Sequence, residues 1–215
     1  MRGEDLEGVV RDAYDSIRKI NEAKSKSYRD GISGLRLGQK DINFSKVDQL
    51  IKDYKVSKKI GSKGRLRLNK ESNAKLKEIE SLVDKYRKDT TLHNVEGLDF
   101  LKQEIDGLYP TGINPGQVET VVAELRRKVY DLIIKEVPDY AKVMDAYETA
   151  SKAEKAIIKE LSMGKKVGTG TTLRKLNQAV KDNAASNFGN RADMVASLNP
   201  DIMPKLAGGA LSSYV

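Results

Sequence analysis

NPGQVETVVAELRRKVYDLIIKEVPDYAKVMDAYETASKAEKAIIKELSM, residues 114–163, is the stretch that decides the fold. Asn114-Pro115 predicts a helix start, with Asn114 as cap and Pro115 at the first helical position. Val118, Val122, Leu125, Val129 and Leu132 then recur at steps of four and three, which places them on one stripe of a helix. Val137-Pro138 ends the stripe, because proline disfavours helical geometry in the residue before it. A second helix follows, with Val143, Ala146, Ala150, Ala153, Ile157 and Leu161 on one face. So short a break is consistent with a fold-back or with a kinked continuation. Helices of about 22 residues reach roughly 33 Å, long enough for the spine of a bundle.

The rest of the chain repeats the helical period. Leu6, Val10, Ala13, Ile17 and Ile20 predict a first helix over 5–28, ended by Asp30-Gly31. Gly31, Gly34 and Gly38 predict a loop over 31–43, with Leu35 and Leu37 in a short extended piece. Ser45 and Asp48 suggest a capping box for a short helix bearing Val47, Leu50, Ile51 and Tyr54. Leu76, Ile79, Val83 and Tyr86 mark a helix over 71–88, broken at Thr90-Thr91. Leu98, Leu101, Ile105 and Leu108 mark another over about 92–108, and Tyr109–Gly112 reads as a turn. Past Leu161 a glycine- and threonine-rich connector, 162–172, leads to a helix capped by Thr171 or Thr172 and bearing Leu173, Leu176 and Val180. A further helix over about 185–198 carries Phe188, Met194 and Leu198. The fold class expected is all-α: a multi-helix bundle with a long central helical pair, a short basic loop or hairpin, and an extended C-terminal tail. Three parts are expected: 1–90, 91–163 and 164–215. The last part, with Pro200, Pro204 and Gly208-Gly209 and no charge after Lys205, reads as a docking strip or as the cut edge of a longer polypeptide.

Charge is the second signal. The 215 residues carry 39 Lys and Arg against 31 Asp and Glu, a net charge of +8, which favours polyanionic partners such as nucleic acid or an anionic membrane surface. Residues 55–70 hold seven cations, Lys55, Lys58, Lys59, Lys63, Arg65, Arg67 and Lys70, and no acid. Gly61 and Gly64 break a helix there, and Arg65-Leu66-Arg67-Leu68 alternates as a strand does, so a basic hairpin is expected. This segment is the candidate phosphate contact, and a solvated loop is the other reading of it. It has no aromatic residue for base stacking, which disfavours sequence-specific reading of a single strand.

Several chemistries are excluded or disfavoured. With no Cys and one His, disulfides, thiolate chemistry and zinc sites of the usual N/S type are ruled out. His93 reads as a capping or surface residue rather than a base. The 164–172 loop lacks the Gly-Lys-Ser/Thr ending of a phosphate-binding loop. The acids lie mostly on polar helix faces, so no catalytic residue, cofactor or metal is expected. No apolar run suits a secretion signal or a transmembrane helix.

From Thr91 onward the chain resembles a helical region of large virion proteins of tailed bacteriophages. Thr91-Leu92, Gly97-Leu98-Asp99, Leu101-Lys102, Ile105–Tyr109, Val137–Ala141, Met144, Tyr147 and Ala150-Ser151 carry the likeness. A Thr-Leu-Arg-Lys-Leu-like helix at 172–176, the Asn187–Arg191 stretch and Leu206-Ala207-Gly208 extend it. It covers roughly residues 45–215, more weakly before 91, and its motifs are structural. It implies an internal virion, ejection or tail-associated structural protein, made in the host cytoplasm and assembled in the virion, with other virion proteins or itself as partner. It also raises double-stranded DNA, bound without sequence preference, as a partner. On this reading Val118, Val122, Leu125, Val129 and Leu132 form a partner-helix interface. The alternatives are a segment of a peptidoglycan-cleaving virion enzyme, which needs a Glu with a raised pKa in a concave pocket, and a non-specific DNA-binding protein.

Overall fold

A computed structural model describes residues 3–38, 41–60, 65–66, 68–110, 116–164, 166–178, 193–196 and 198. The chain is all-α. Among the described residues seven α-helices run in order, α1 (Gly3–Leu37), α2 (Ser45–Ser57), α3 (Lys70–Lys88), α4 (Val95–Asp106), α5 (Gly116–Glu136), α6 (Asp139–Glu160) and α7 (Thr169–Gln178), and residues 193–196 and 198 of the expected last helix are helical as well. Between α2 and α3 lie two two-residue strands, β1 (Lys59–Ile60) and β2 (Arg65–Leu66). They pair antiparallel with Lys59 opposite Leu66 and Ile60 opposite Arg65, the hairpin expected from the glycines and the alternation. No described helix is long and apolar enough to cross a membrane.

Two compact units result, residues 29–144 and residues 1–28 with 145–215. Their boundaries fall inside α1 and α6, and do not coincide with the divisions read at 90 and 163.

In the 29–144 unit, α5 is the central helix and packs on α2, α3 and α4. Val121, Val122, Leu125, Val129 and Ile133 are its buried residues. The buried strip is wider than a five-residue seam because three helices cover it. Val122, Leu125 and Val129 are fully enclosed here, whereas Val118 and Leu132 are half-buried at its edges. The stripe expected to face a partner is therefore consumed mainly by this chain's own core. The face read for α3 holds, with Leu76, Ile79, Val83 and Tyr86 buried; of the face read for α4, Leu98, Leu101 and Ile105 are buried, while Leu108 lies past the helix end and is half-buried.

Side-chain caps set the short connections. Asn69 Oδ1 accepts from Ser72 N at 2.7 Å to open α3, and Asn94 Oδ1 accepts from Gly97 N at 3.0 Å to open α4. Gly97 sits so close to the 3-10 turn at Thr90–Leu92 that a Cβ would lie 2.0 Å from the Leu92 carbonyl oxygen. His93 stacks on Phe44 with ring centroids 4.7 Å apart, and its carbonyl accepts from Ile42 N at 2.7 Å. It is thus a structural residue that seats the segment before α2.

Four local expectations are corrected. First, α1 does not end at Gly31 but runs to Leu37, and 35–37 are helical. Gly31 lets Val143 of α6 approach, with Cγ1 3.0 Å from where a Cβ would stand, and Ile32 is 3% exposed, so packing outweighs glycine's low helix propensity. Second, Ser45 does not cap α2. Phe44 holds the cap position without a side-chain bond, and Asn43 Oδ1 accepts from Ser45 N at 3.0 Å. Third, neither Thr171 nor Thr172 caps α7, which begins at Thr169; Thr172 is buried and its Oγ1 donates to the Ser162 carbonyl at 2.8 Å. Fourth, α5 is described from Gly116, which takes φ +56°, so right-handed helical backbone starts at Gln117. Asn114 and Pro115, residues 111–113 of the turn, 185–192 of the last helix and the 199–215 tail lie outside the described residues.

In the other unit, Val9, Val10 and Ala13 of α1 pack with Ile157 and Leu161 of α6, Leu176 of α7, Met163, Val195 and Leu198. Of the residues read on the α6 face, Ile157 and Leu161 are buried, while Ala146 and Ala153 are exposed. Their place is taken by Glu154, 7% exposed, which accepts from Asn21 Nδ2 at 2.9 Å and pairs with Lys24. Burial works to raise the Glu154 pKa, but the bonds from Lys24 and Asn21 and the lysine charge more than offset it and hold the carboxyl low.

Candidate polyanion interface

The 55–70 segment bears seven of the chain's cations and no acid, so the remaining 199 residues have a net charge of only +1 out of +8. Within residues 29–144 the contrast is sharper. Outside 55–70 that unit has 16 cations and 18 anions. Its positive excess is the hairpin and its two flanks.

The seven cations are not equivalent. Lys55, on α2, pairs with Glu80 of α3 at 2.7 Å. Lys58, the residue after α2, pairs with Glu124 of α5 at 2.8 Å and stands 5.3 Å from the Tyr54 ring centroid. These two lysines bind the hairpin's first flank to the helical body, and part of their charge is compensated. Lys70 opens α3 and is exposed. Lys59 and Arg65 are placed by the strand pairing, with only their backbones described. Lys63 and Arg67 lie outside the described residues.

At the base of the hairpin is a cleft of about 350 Å³, bounded by Tyr54, Ser57, Lys58, Leu68 and, from the first turns of α5, Gln117 and Thr120. Lys58 precedes β1 and Leu68 follows β2, so the chain enters and leaves the hairpin across this cleft. Asn69 N donates to Gln117 Oε1 at 3.1 Å, which joins the start of α3 to the start of α5. Tyr54 is 1% exposed, and Glu124 is the carboxylate beside its buried hydroxyl. Burial raises the Tyr54 pKa above the usual tyrosine value, and Glu124 raises it further through its charge and its hydrogen bond with the hydroxyl.

Two other constellations bear on catalysis. The first is buried: Asp99 at 2%, Lys102 at 3% and Tyr140 at 0% exposure. Tyr140 Oη donates to Asp99 Oδ1 at 2.5 Å, Lys102 Nζ lies 2.8 Å from Asp99 Oδ1, and Gln103 Nε2 donates to Asp99 Oδ2 at 2.7 Å. Lys102 also donates to Tyr140 Oη at 2.5 Å and contacts Met144 Sδ at 3.6 Å. Burial lowers the Lys102 pKa, and Asp99 partly restores it. The set is closed to solvent and fastens the start of α6 to α4. The second is a groove of about 540 Å³ between α2 and α3, with Ile51 and Val83 along it. Its acids are each matched: Asp48 and Asp84 by Arg87, Glu80 by Lys55. A general acid needs a carboxyl in a largely apolar pocket, and these three are partnered by cations instead. Among the described residues, no group of three or more His, Asp or Glu is placed to hold a metal ion.

The buried Asp99–Lys102–Tyr140 set was missed by sequence reasoning, because isolated charged residues on a helix default to the solvent face. The only signal was that Asp99 and Lys102 lie within one turn of the buried Leu98 and Leu101. No protein-family model, no curated protein and no solved structure matches this chain.

Proposed function

We propose that the chain is a non-enzymatic structural module of a bacteriophage virion protein that contacts double-stranded DNA through the 55–70 hairpin without reading its sequence. The observation that carries the DNA part is the segregation of charge: the positive excess is concentrated on one hairpin, on a helical body close to neutral. A compact row of Lys and Arg meets phosphates by displacing their counterions, which needs no base contact. The virion part rests on the motif resemblance at Thr91–Tyr109, Val137–Ala141 and 172–176 and on the all-α architecture. The matched acids of the α2–α3 groove favour a structural role over a peptidoglycan-cleaving one.

An electrophoretic shift with two duplexes of unrelated sequence tests the DNA part. Both are expected to shift at the same protein concentration in low salt, and a Lys59, Lys63, Arg65 and Arg67 to Gln variant is expected to shift neither. Absence of any shift by the unaltered chain would remove this part. Peptide mass spectrometry of purified particles tests the virion part, which fails if the chain is found only in host lysate.

A further inference from the structure

We infer that Glu80 and Glu124 are internal competitors for the polyanion: each carboxylate occupies a lysine of the basic run and so limits how tightly the run holds phosphate. This deepens the polyanion reading by naming what regulates that contact, and it rests on it. Of the seven cations of 55–70, Lys55 and Lys58 stand on the hairpin's first flank, and each is met by an acid from another helix. Glu80 Oε1 of α3 lies 2.7 Å from Lys55 Nζ, and Glu124 Oε2 of α5 lies 2.8 Å from Lys58 Nζ. A carboxylate at that distance offers the ammonium what a phosphate offers it, charged oxygens that accept its protons. The acids lie far from these lysines in sequence, so it is the fold that brings them there.

The Glu124 pair is held from two sides. Glu124 stands beside the buried Tyr54 hydroxyl, and Lys58 Nζ lies 5.3 Å from the Tyr54 ring centroid. The tyrosine thus positions the acid at its oxygen and the cation at its ring. Both pairs stay partly open to water, with the Lys55 and Lys58 side chains 38% and 28% exposed. Pairs this exposed are weak, and a polyanion as densely charged as a duplex displaces them. The displaced carboxylate then faces a phosphate of like sign. Both effects lower affinity, although neither acid binds the polyanion. The same three residue types also meet where α3 packs on α4. Lys85 Nζ lies 3.8 Å from Glu104 Oε1 and 5.8 Å from the Tyr86 ring centroid, and Glu104 stands beside the buried Tyr86 hydroxyl. Lys85 is not one of the seven cations, and it stands about 22 Å along α3 from Lys70, roughly two screening lengths at 0.1 M salt. Glu104→Gln therefore makes the same change of charge in the same kind of setting, outside the run.

The test titrates a fluorescent 20-base-pair duplex with the full chain between 50 and 200 mM salt. Glu80→Gln and Glu124→Gln keep the shape of the side chain and drop its charge. Each is expected to bind about 2- to 5-fold tighter, with a slope of log affinity against log salt steeper by about 0.9, one further lysine being free. The two together are expected to take that slope from about −4.5 to about −6.3, and adding Lys55→Gln and Lys58→Gln to return it to about −4.5. Glu104→Gln is expected to leave it unchanged. Melting temperatures are expected to stay close to that of the unaltered chain, because exposed pairs add little stability. Glu80→Gln decides alone if Glu124→Gln, beside Tyr54, does not fold. If Glu104→Gln tightens binding as much as the other two, net charge alone acts and the inference is wrong. It is wrong as well, with the polyanion reading left standing, if the unaltered chain binds duplex and neither Glu80→Gln nor Glu124→Gln binds tighter. If neither the unaltered chain nor these variants bind duplex at 50 mM salt, both fall.

Discussion

Lys102 shows how one buried charge is tolerated. Its ammonium sits 2.8 Å from Asp99 Oδ1, donates to Tyr140 Oη, and has the Tyr140 and Tyr130 ring centroids 5.2 and 5.9 Å away. Removing one member strands the other, so Lys102→Met is expected to destabilise the chain by about 3 kcal/mol in urea unfolding. Replacing the whole set, Asp99→Leu, Lys102→Met and Tyr140→Phe, is expected to recover most of that loss, because a packed apolar group needs no compensation. Tyr86 gives a pH test with the opposite sign to Lys102. Burial, with the Glu104 charge beside it, raises its pKa from 10.0 to about 12. The unfolded chain then releases this proton first, so the stability it confers is present below pH 10 and is lost as pH rises towards 12. Tyr86→Phe is expected to lose on the order of 2 kcal/mol less than the unaltered chain over that range, by denaturation at pH 9.5 and 11.5. Lys102, with its pKa lowered by burial, works the other way: stability rises with pH in the window just below 10.5. The spacing of α3 had placed Tyr86 on the buried face, whereas the burial of Lys102 was not visible in a one-dimensional pattern of charges.

At the scale of the element, what periodicity carries was read well. The face of α3, the face of α4 as far as Ile105 and the break at Val137-Pro138 stand where the spacing puts them. What failed depends on neighbours distant in sequence. The 31–37 region looked like a loop because each of its glycines costs a helix about 1 kcal/mol. It is helical because Gly31 meets Val143 and Ile32 is enclosed. The α5 stripe omitted Val121 and Ile133, since a seam for one partner is narrower than a strip covered by three. Gly31 and Gly34 separate these effects. Gly34 has no atom within 4 Å of where a Cβ would stand, so Gly34→Ala is expected to stabilise the chain by about 0.5–1 kcal/mol. Gly31→Ala would put a Cβ 3.0 Å from Val143 Cγ1 and is expected to show no such gain. Val143→Ala is expected to restore it, read as non-additivity in a double-mutant cycle of melting temperatures.

For the whole molecule, charge and fold are arranged separately. Apolar stripes build the two units, and among the described residues the large exposed apolar side chains are Leu37, Val56 and Phe100. The positive excess was legible in full from the run of seven cations at 55–70. What the run did not disclose was its partition: Lys55 and Lys58 are drawn to Glu80 and Glu124, residues 25 and 66 positions away. The other five cations of the run, Lys59, Lys63, Arg65, Arg67 and Lys70, are the proposed phosphate contacts.

The salt dependence of duplex binding by the full chain therefore tests the central claim most directly. Five phosphate contacts give a slope of log affinity against log salt of about −4.5, a loss of a few hundred-fold between 50 and 200 mM, equal for unrelated sequences. Neutralising Lys59, Lys63, Arg65 and Arg67 is expected to flatten that slope to about −1. Binding that survives this substitution with its slope unchanged, or a chain that binds no duplex at 50 mM salt, would contradict the account.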